Sequence, residues 1–227
     1  MKVLVACEES QAVCKAFREL GHEAYSCDII ECSGGHPEWH IKGDAISVLY
    51  GYKGANTVFE TQDGKIHFLP KLWDLVIAHP PCTYLTPAGA ANIPKHPERI
   101  ILGERAADFF MCFVEYAEKN NVRVCIENPP PMKRFNLPKY TQIVRPWMFG
   151  DVNNKPTALW LFGLPNLKPT NIVEHQGEMV LWIYKKTGEK KSCSKWYNTD
   201  TANHGKHRSK TFHGIAHAMA EQWGGKV

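Results

Sequence analysis

Lys2-Val3-Leu4-Val5-Ala6, the run Ser10 to Gly21, and Glu23-Ala24-Tyr25-Ser26-Cys27-Asp28 together decide how the rest of the chain is read. Lys2–Ala6 is a short apolar run of the kind that forms a buried strand. Ser10 is placed to cap a helix in which Val13, Phe17 and Leu20 fall at i, i+4 and i+7, and Gly21 ends it. Residues 23–27 then form a second strand that stops at Asp28. A β-α-β opening of this kind predicts an α/β fold with a mostly parallel, twisted sheet and helices on both faces.

The same pattern continues downstream. Residues 58–61 and 65–68 flank Gln62-Asp63-Gly64, a hairpin signal at the sheet's periphery. Residues 72–78 form a strand that runs into His79-Pro80-Pro81-Cys82, followed by a loop broken by Pro87, Gly89, Pro94 and Pro97. Pro97 suits the first position of a long helix with Leu102, Ala106, Phe109, Phe113 and Tyr116 along one face. Residues 123–126 form a further core strand ending in Glu127-Asn128-Pro129-Pro130-Pro131. Residues 158–162 are another strand, 179–184 open a hairpin turning near Thr187-Gly188, and 211–223 close the chain as a helix with Ile215, Met219 and Trp223 inward. The expected organisation is one domain over 1–227, with residues 151–205 as a small basic insertion within it.

Composition narrows the class. Of the 227 residues, 44% are hydrophobic and 22% charged, enough to bury a core and too apolar for global disorder. No stretch reaches the ~20 apolar residues that span a bilayer, so no membrane partner is expected. The eight cysteines are scattered and no secretory signal precedes them, which points to free thiols and a cytoplasmic setting. The formal charge of +4 is uneven: between Lys185 and Lys210 stand eight basic residues against Glu189 and Asp200, interleaved with Trp196, Tyr197, His204 and His207. A solvated lysine-rich hairpin and a surface for a polyanion both fit that patch.

Asp28, Cys82 and Glu127 are each expected just past the carboxyl end of a parallel strand, where open α/β sheets bind ligands. Two prolines cannot continue a central strand, so Pro80-Pro81 turns the backbone out of the sheet and presents Cys82 at its rim. A thiol there becomes a nucleophile only in an electropositive setting; otherwise it is a small packing residue, as Cys14, Cys112 and Cys125 are expected to be. A carboxylate at the tip of the next strand, Glu127, can share a proton with a ring nitrogen if its surroundings raise its affinity for one. Cys27, Cys32, His36 and His40 are ligand types at short spacing, but the residues between the two cysteines do not form a zinc-knuckle turn. Cys193, His204, His207, His213 and His217 are spaced more loosely still, and no metal is expected.

The stretch Ile77-Ala78-His79-Pro80-Pro81-Cys82-Thr83-Tyr84-Leu85-Thr86-Pro87-Ala88-Gly89 resembles the nucleophile motif of the cytosine-C5 DNA methyltransferases, and Ile126-Glu127-Asn128-Pro129 resembles that family's glutamate motif. Ser26-Cys27-Asp28-Ile29 and His40-Ile41-Lys42-Gly43-Asp44-Ala45 are similar to the segments that meet the cofactor's ribose and adenine. Gly150-Asp151-Val152-Asn153-Asn154-Lys155 echoes the basic strand entry, and Gly214-Ile215-Ala216-His217-Ala218-Met219-Ala220 the closing helix. The resemblance spans nearly the whole chain and is nearest to the short, phage-type group. It implies a Rossmann-like S-adenosylmethionine-dependent methyltransferase fold.

The chemistry it implies is methyl transfer to C5 of cytosine in DNA, with Cys82 adding to C6 and Glu127 hydrogen-bonding N3. The target cytosine would be single-stranded or flipped out of the duplex. S-adenosylmethionine would be held by Glu8, Asp28, Asp44, Pro80 and Gly214, and substrate by Pro81, Thr83, Asn128, Lys155 and Arg208. The chain departs from the family in four places. Ala6-Cys7-Glu8-Glu9-Ser10 stands where a glycine-rich loop belongs, Thr83 replaces the glutamine after the nucleophile, the arginines of the basic strand entry are reduced to Lys155, and only about fifty residues stand where a large target-recognition region belongs. The last departure keeps open a free cytidine nucleotide as substrate, and the first keeps open a non-catalytic, methyltransferase-like protein that binds nucleic acid or nucleotide. An amino-methyltransferase would carry an aromatic residue after Pro-Pro, and Cys82 argues against it.

Overall fold

A computed structural model describes residues 1–51, 57–87, 93, 96–174, 179–183, 188–194 and 211–227. Its elements, in chain order, are β1 (Lys2–Ala6), α1 (Ala12–Glu19), β2 (Glu23–Asp28), β3 (His40–Lys42), α2 (Ala45–Tyr50), β4 (Val58–Glu60), β5 (Ile66–Phe68) and β6 (Leu75–Ala78). There follow α3 (Glu98–Asn120), β7 (Arg123–Asn128), β8 (Gln142–Val144), β9 (Thr157–Phe162), β10 (Met179–Ile183), β11 (Lys190–Ser194) and α4 (His213–Met219).

β1 is the axis of the fold. Val3 to Ala6 are fully buried, the signature of a strand covered on both faces. It pairs in parallel with β2 on one side and β6 on the other. The full order is β3-β2-β1-β6-β7-β9-β8, in which β3 to β7 run parallel and β9 runs antiparallel to both its neighbours. The sheet is therefore mixed but mostly parallel, and Rossmann-like through its first five strands in chain order. The chain reverses its direction of travel between β1 and β6, which makes the crevice over their carboxyl ends the topological switch point.

The period of two along each strand divides the core. Leu4, Ala6, Val76, Ala78, Val124 and Ile126 face one layer, built with α2 and α3 and closed by Trp160 against Phe110, ring centroids 4.9 Å apart. Val3, Val5, Leu75, Ile77 and Cys125 face the other, built with Val13 and Phe17 of α1 and Ile215, Ala216 and Met219 of α4. Helices thus cover both faces, as the β-α-β opening predicts.

The expected peripheral hairpin is β4–β5, and the expected C-terminal hairpin is β10–β11. The closing helix buries Ile215, Met219 and Trp223 as expected, and Ala220–Gly224 continues it as a π-helical turn. Three readings need correction. The stripe on α3 is partly rotated: Phe113 and Tyr116 are buried as expected, but Gly103, Ala107, Phe110, Val114 and Ala117 are buried in place of Leu102, Ala106 and Phe109, and Phe135 seats its ring against Gly103, where a Cβ would lie 2.2 Å from it. Ser10 does not cap α1; Gln11 holds the cap position at φ 59°. Finally, β3, α2 and β8 are short elements that the pattern did not announce. Among the described residues, no helix is long and apolar enough to cross a membrane.

Candidate functional site

The register of β6 against β7 builds the centre of the site. Leu75 to Ala78 pair in order with Arg123 to Ile126, so the next two positions set His79 beside Glu127 and Pro80 beside Asn128. Side chains latch both pairs. His79 Nδ1 lies 2.9 Å from Glu127 Oε2, and Asn128 Nδ2 donates to the Pro80 carbonyl at 2.7 Å. The His79 backbone N–H donates to Ala6 O at 2.9 Å, which extends the ladder one residue beyond β6 and fixes the base of the Pro-Pro turn. The Cys82 carbonyl accepts from Leu85 and Thr86 N–H, and Met132 N–H donates to Leu85 O at 2.7 Å. Arg99 ties the same turn from outside, donating to Thr83 O and lying 4.8 Å over the Tyr84 ring.

These groups open into a cavity of about 490 Å³ at the carboxyl ends of β1, β2, β6 and β7. That volume lies within the range of small-ligand sites. Of the residues expected at a site, Glu8, Asp28, Pro80, Pro81, Cys82, Thr83, Glu127, Asn128 and Lys155 all line it. Asp28 and Glu127 belong to their strands, and only Cys82 stands beyond its own. Cys82 is half-buried, against the full burial of Cys14 and Cys125, and Cys112 is half-buried on α3. Two expected contributors sit elsewhere. Asp44 caps α2, accepting from Ile46 and Ser47 N–H, because a helix start beside β3 needs an acceptor there. Gly214 abuts Phe149, and a Cβ on it would lie 1.8 Å from the Phe149 carbonyl oxygen, so its small size serves packing. Arg208 and most of the basic patch lie outside the described residues.

Electrostatics make the floor of the cavity unusual. Burial opposes a charge on Glu127. A hydrogen bond from His79 and the nearby Lys155 and His79 charges outweigh it, and Thr157 adds a further hydrogen bond, so the carboxyl stays below the usual carboxylate range. Burial likewise opposes a charge on His79, but pairing with Glu127 and the proximity of Glu8 raise its affinity for a proton. Both shifts run toward an imidazolium paired with a carboxylate, and the cause of each is the other partner. His79 Nε2 and Asn128 Oδ1 are buried and have no hydrogen-bond partner among the described residues.

The loop after β1 departs from a glycine-rich turn in a specific way. Cys7 and Gln11 both adopt φ 59°, the left-handed region glycine would occupy freely. Glu8 folds inward, and its carboxylate accepts Val13 N–H at 2.7 Å and Cys14 N–H at 3.2 Å. Burial pushes the Glu8 carboxyl up, while the His79 charge and those two N–H groups pull it back. An internal acid thus fills the N-terminus of α1, where many switch-point sites bind a phosphate. Gln11 pairs both ways with the His36 backbone, donating to its carbonyl at 2.8 Å and accepting its N–H at 3.0 Å. Asp28 Oδ1 accepts from Ile30 N–H at 3.3 Å, and burial raises its carboxyl above the usual value.

Of the candidate metal ligands, Cys27, His36 and His40 have separate roles, and His204 and His207 lie outside the described residues. The Cys27 thiol, raised by burial to about 12, faces Gly43 O; His36 stacks on Trp39 at 3.8 Å and pairs with Glu38. His40 sits between Ser26 Oγ and Ile30 O. Sequence reasoning missed His79, Gln11 and the capping role of Glu8. For His79 a signal was present: it and Glu127 are each the first polar residue after an apolar run, in strands expected to be neighbours. No family model and no curated protein matches the chain.

Proposed function

We propose that the chain is a cytosine-C5 methyltransferase acting on DNA, with Cys82 as nucleophile and Glu127 as the group that meets N3. One observation carries the reading: the strand-end Cys and Glu motifs, forty-five residues apart in sequence, line one cavity at the switch point and are latched through His79–Glu127 and Pro80–Asn128.

The residues present fit S-adenosylmethionine. The cavity wall carries the carboxylates of Glu8, Glu9 and Asp28 beside the apolar Ile30, which suits a sulfonium cation and an adenosine with free ribose hydroxyls. Glu8, at the start of α1, removes the anchor a pyrophosphate would use, and this argues against a dinucleotide. Asp28 would accept from the ribose, and the acids of the β1 loop would face the cationic end. When bound, the cofactor supplies an electrophilic methyl group.

The chain's own side chains supply the rest. C5 of cytosine is a weak nucleophile, and a Cys82 thiolate bonded to C6 turns the ring into an enamine. Glu127 takes up the charge that develops at N3, and in a dry site such a contact is worth far more than in water. Lys155, close enough to lower the Glu127 proton affinity, offsets charge on the same edge. The half-buried Cys82 sits on a turn fixed by Arg99, Met132 and Asn128, so the sulfur approaches from a rigid support.

Calorimetry with S-adenosylmethionine tests the cofactor side. Saturable binding that Asp28→Ala weakens at least tenfold is expected. Absence of binding, even with DNA present, would leave a methyltransferase-like binding protein instead.

A further inference from the structure

Cytosine N3 is an acceptor, so Glu127 must present a proton to it. His79 and the nearby Lys155 hold the Glu127 carboxyl below its usual range, and a carboxylate would repel that lone pair. A proton must therefore reach Glu127 within a buried site, and of its hydrogen-bond partners Thr157 and His79 the one that exchanges a proton near neutral pH is the imidazole, whose Nδ1 lies at 2.9 Å. Both side chains are about nine-tenths buried, and the His79 backbone is pinned to β1 through Ala6. We propose that His79 is a positioning residue that stores the proton of Glu127 and delivers it when the target base enters. This inference rests on the methyltransferase reading and deepens it.

The physical drive comes from desolvation. An imidazolium–carboxylate pair survives burial only while its charges are well compensated; a neutral imidazole beside a carboxylic acid costs much less. A base entering the cavity displaces water from the carboxylate and tips the pair toward the neutral form. The charged groups around His79 are Glu127 from β7, Glu8 from the loop after β1 and Lys155 from the segment before β9. Glu8 favours the stored proton, Lys155 its release. Because Nδ1 is the nitrogen that faces Glu127, a proton given up there leaves the ring's other hydrogen on Nε2 and makes Nδ1 the acceptor for a Glu127 hydroxyl.

The step balances. As the Cys82 S–C6 bond forms, the C5=C6 π pair becomes the C4=C5 bond and the C4=N3 pair moves onto N3, which takes one proton relayed from His79 Nδ1 through Glu127. Neutral imidazole is left beside carboxylate. The C4=C5 pair would then form the bond to the methyl group that the cofactor supplies, with the N3 pair restoring C4=N3 and the S–CH₃ pair staying with the departing thioether. At the end, the C5–H pair rebuilds the C5=C6 bond as the C5 proton goes to water. Sulfur leaves with the S–C6 pair, and N3 returns its proton through Glu127 to His79.

Two measurements test this. The ¹⁵N signals of the His79 ring should titrate with a midpoint above histidine's ordinary ~6.5 in the wild type and fall in Glu127→Gln. A midpoint at or below ~6.5 that ignores Glu127→Gln would overturn the proposal, whatever the enzyme does. In methyl transfer to DNA, His79→Gln keeps a donor to Glu127 but carries no mobile proton. It should lower kcat by at least ~100-fold with little change in KM, and move the alkaline fall of the pH profile to lower pH. Wild-type kcat and profile in His79→Gln would also overturn it. If the wild type transfers no methyl group to DNA or cytidine nucleotide, the methyltransferase reading fails, and the ring titration alone decides whether the pair shares its proton.

Discussion

At Glu127 burial and pairing pull in opposite directions, and the outcome has a stability signature. His79 binds its proton more tightly than an unfolded histidine, so its contribution is complete below ~6.5 and fades as pH rises through the folded value. Glu127 holds its proton less tightly than an unfolded glutamate, so its contribution is present above ~4.3 and is lost as pH falls through the folded value. The pair therefore stabilises most between roughly pH 4.5 and 6.5. The melting-temperature gap between wild type and Glu127→Gln should be widest in that window and narrow above it; a gap still widening at pH 9 would contradict the pairing. Cys82 and Glu127 were legible as residues because their motifs are local. His79 showed only as the first polar residue after an apolar run; its role depends on the register of two strands, with its partner 48 residues away.

At the scale of elements, the long strands and helices were legible because each carries a full period of apolar residues. β3, α2 and β8 were not: the equally short β4 and β5 are flagged by the turn Gln62-Asp63-Gly64 between them, and no such signal marks these three. The start of α1 shows a different failure. A serine before an apolar helix ordinarily reads as its cap, yet the cap comes from Glu8, because the left-handed Cys7 turns the chain and sends the next side chain beneath the helix. Glu8→Ala strips two buried N–H groups of their acceptor and should cost about 2 kcal/mol, measured by urea unfolding. Glu8→Gln, which keeps an acceptor, should cost less than half as much. Equal losses in the two variants would mean that the contact is one of shape rather than hydrogen bonding.

Over the whole molecule, the fold follows from where the chain reverses. Winding first toward β3 and then back across β1 toward β7 leaves one crevice over the carboxyl ends, and Asp28, Cys82 and Glu127 converge there. That convergence was legible from the order of apolar runs alone; the fit of Asp44 and Gly214 to helix capping and packing was not, because both depend on neighbours distant in sequence. The proposed reaction turns on a covalent bond from Cys82 to C6 of a cytosine. Oligonucleotides containing 5-fluorocytosine test it directly, since fluorine at C5 cannot leave as a proton does and the S–C6 bond persists. Incubated with S-adenosylmethionine and analysed by intact mass, the wild type should appear as a one-to-one covalent adduct that Cys82→Ala, folded by circular dichroism, does not form. No adduct from the wild type with single-stranded DNA, duplex DNA or the free nucleotide would contradict the claim.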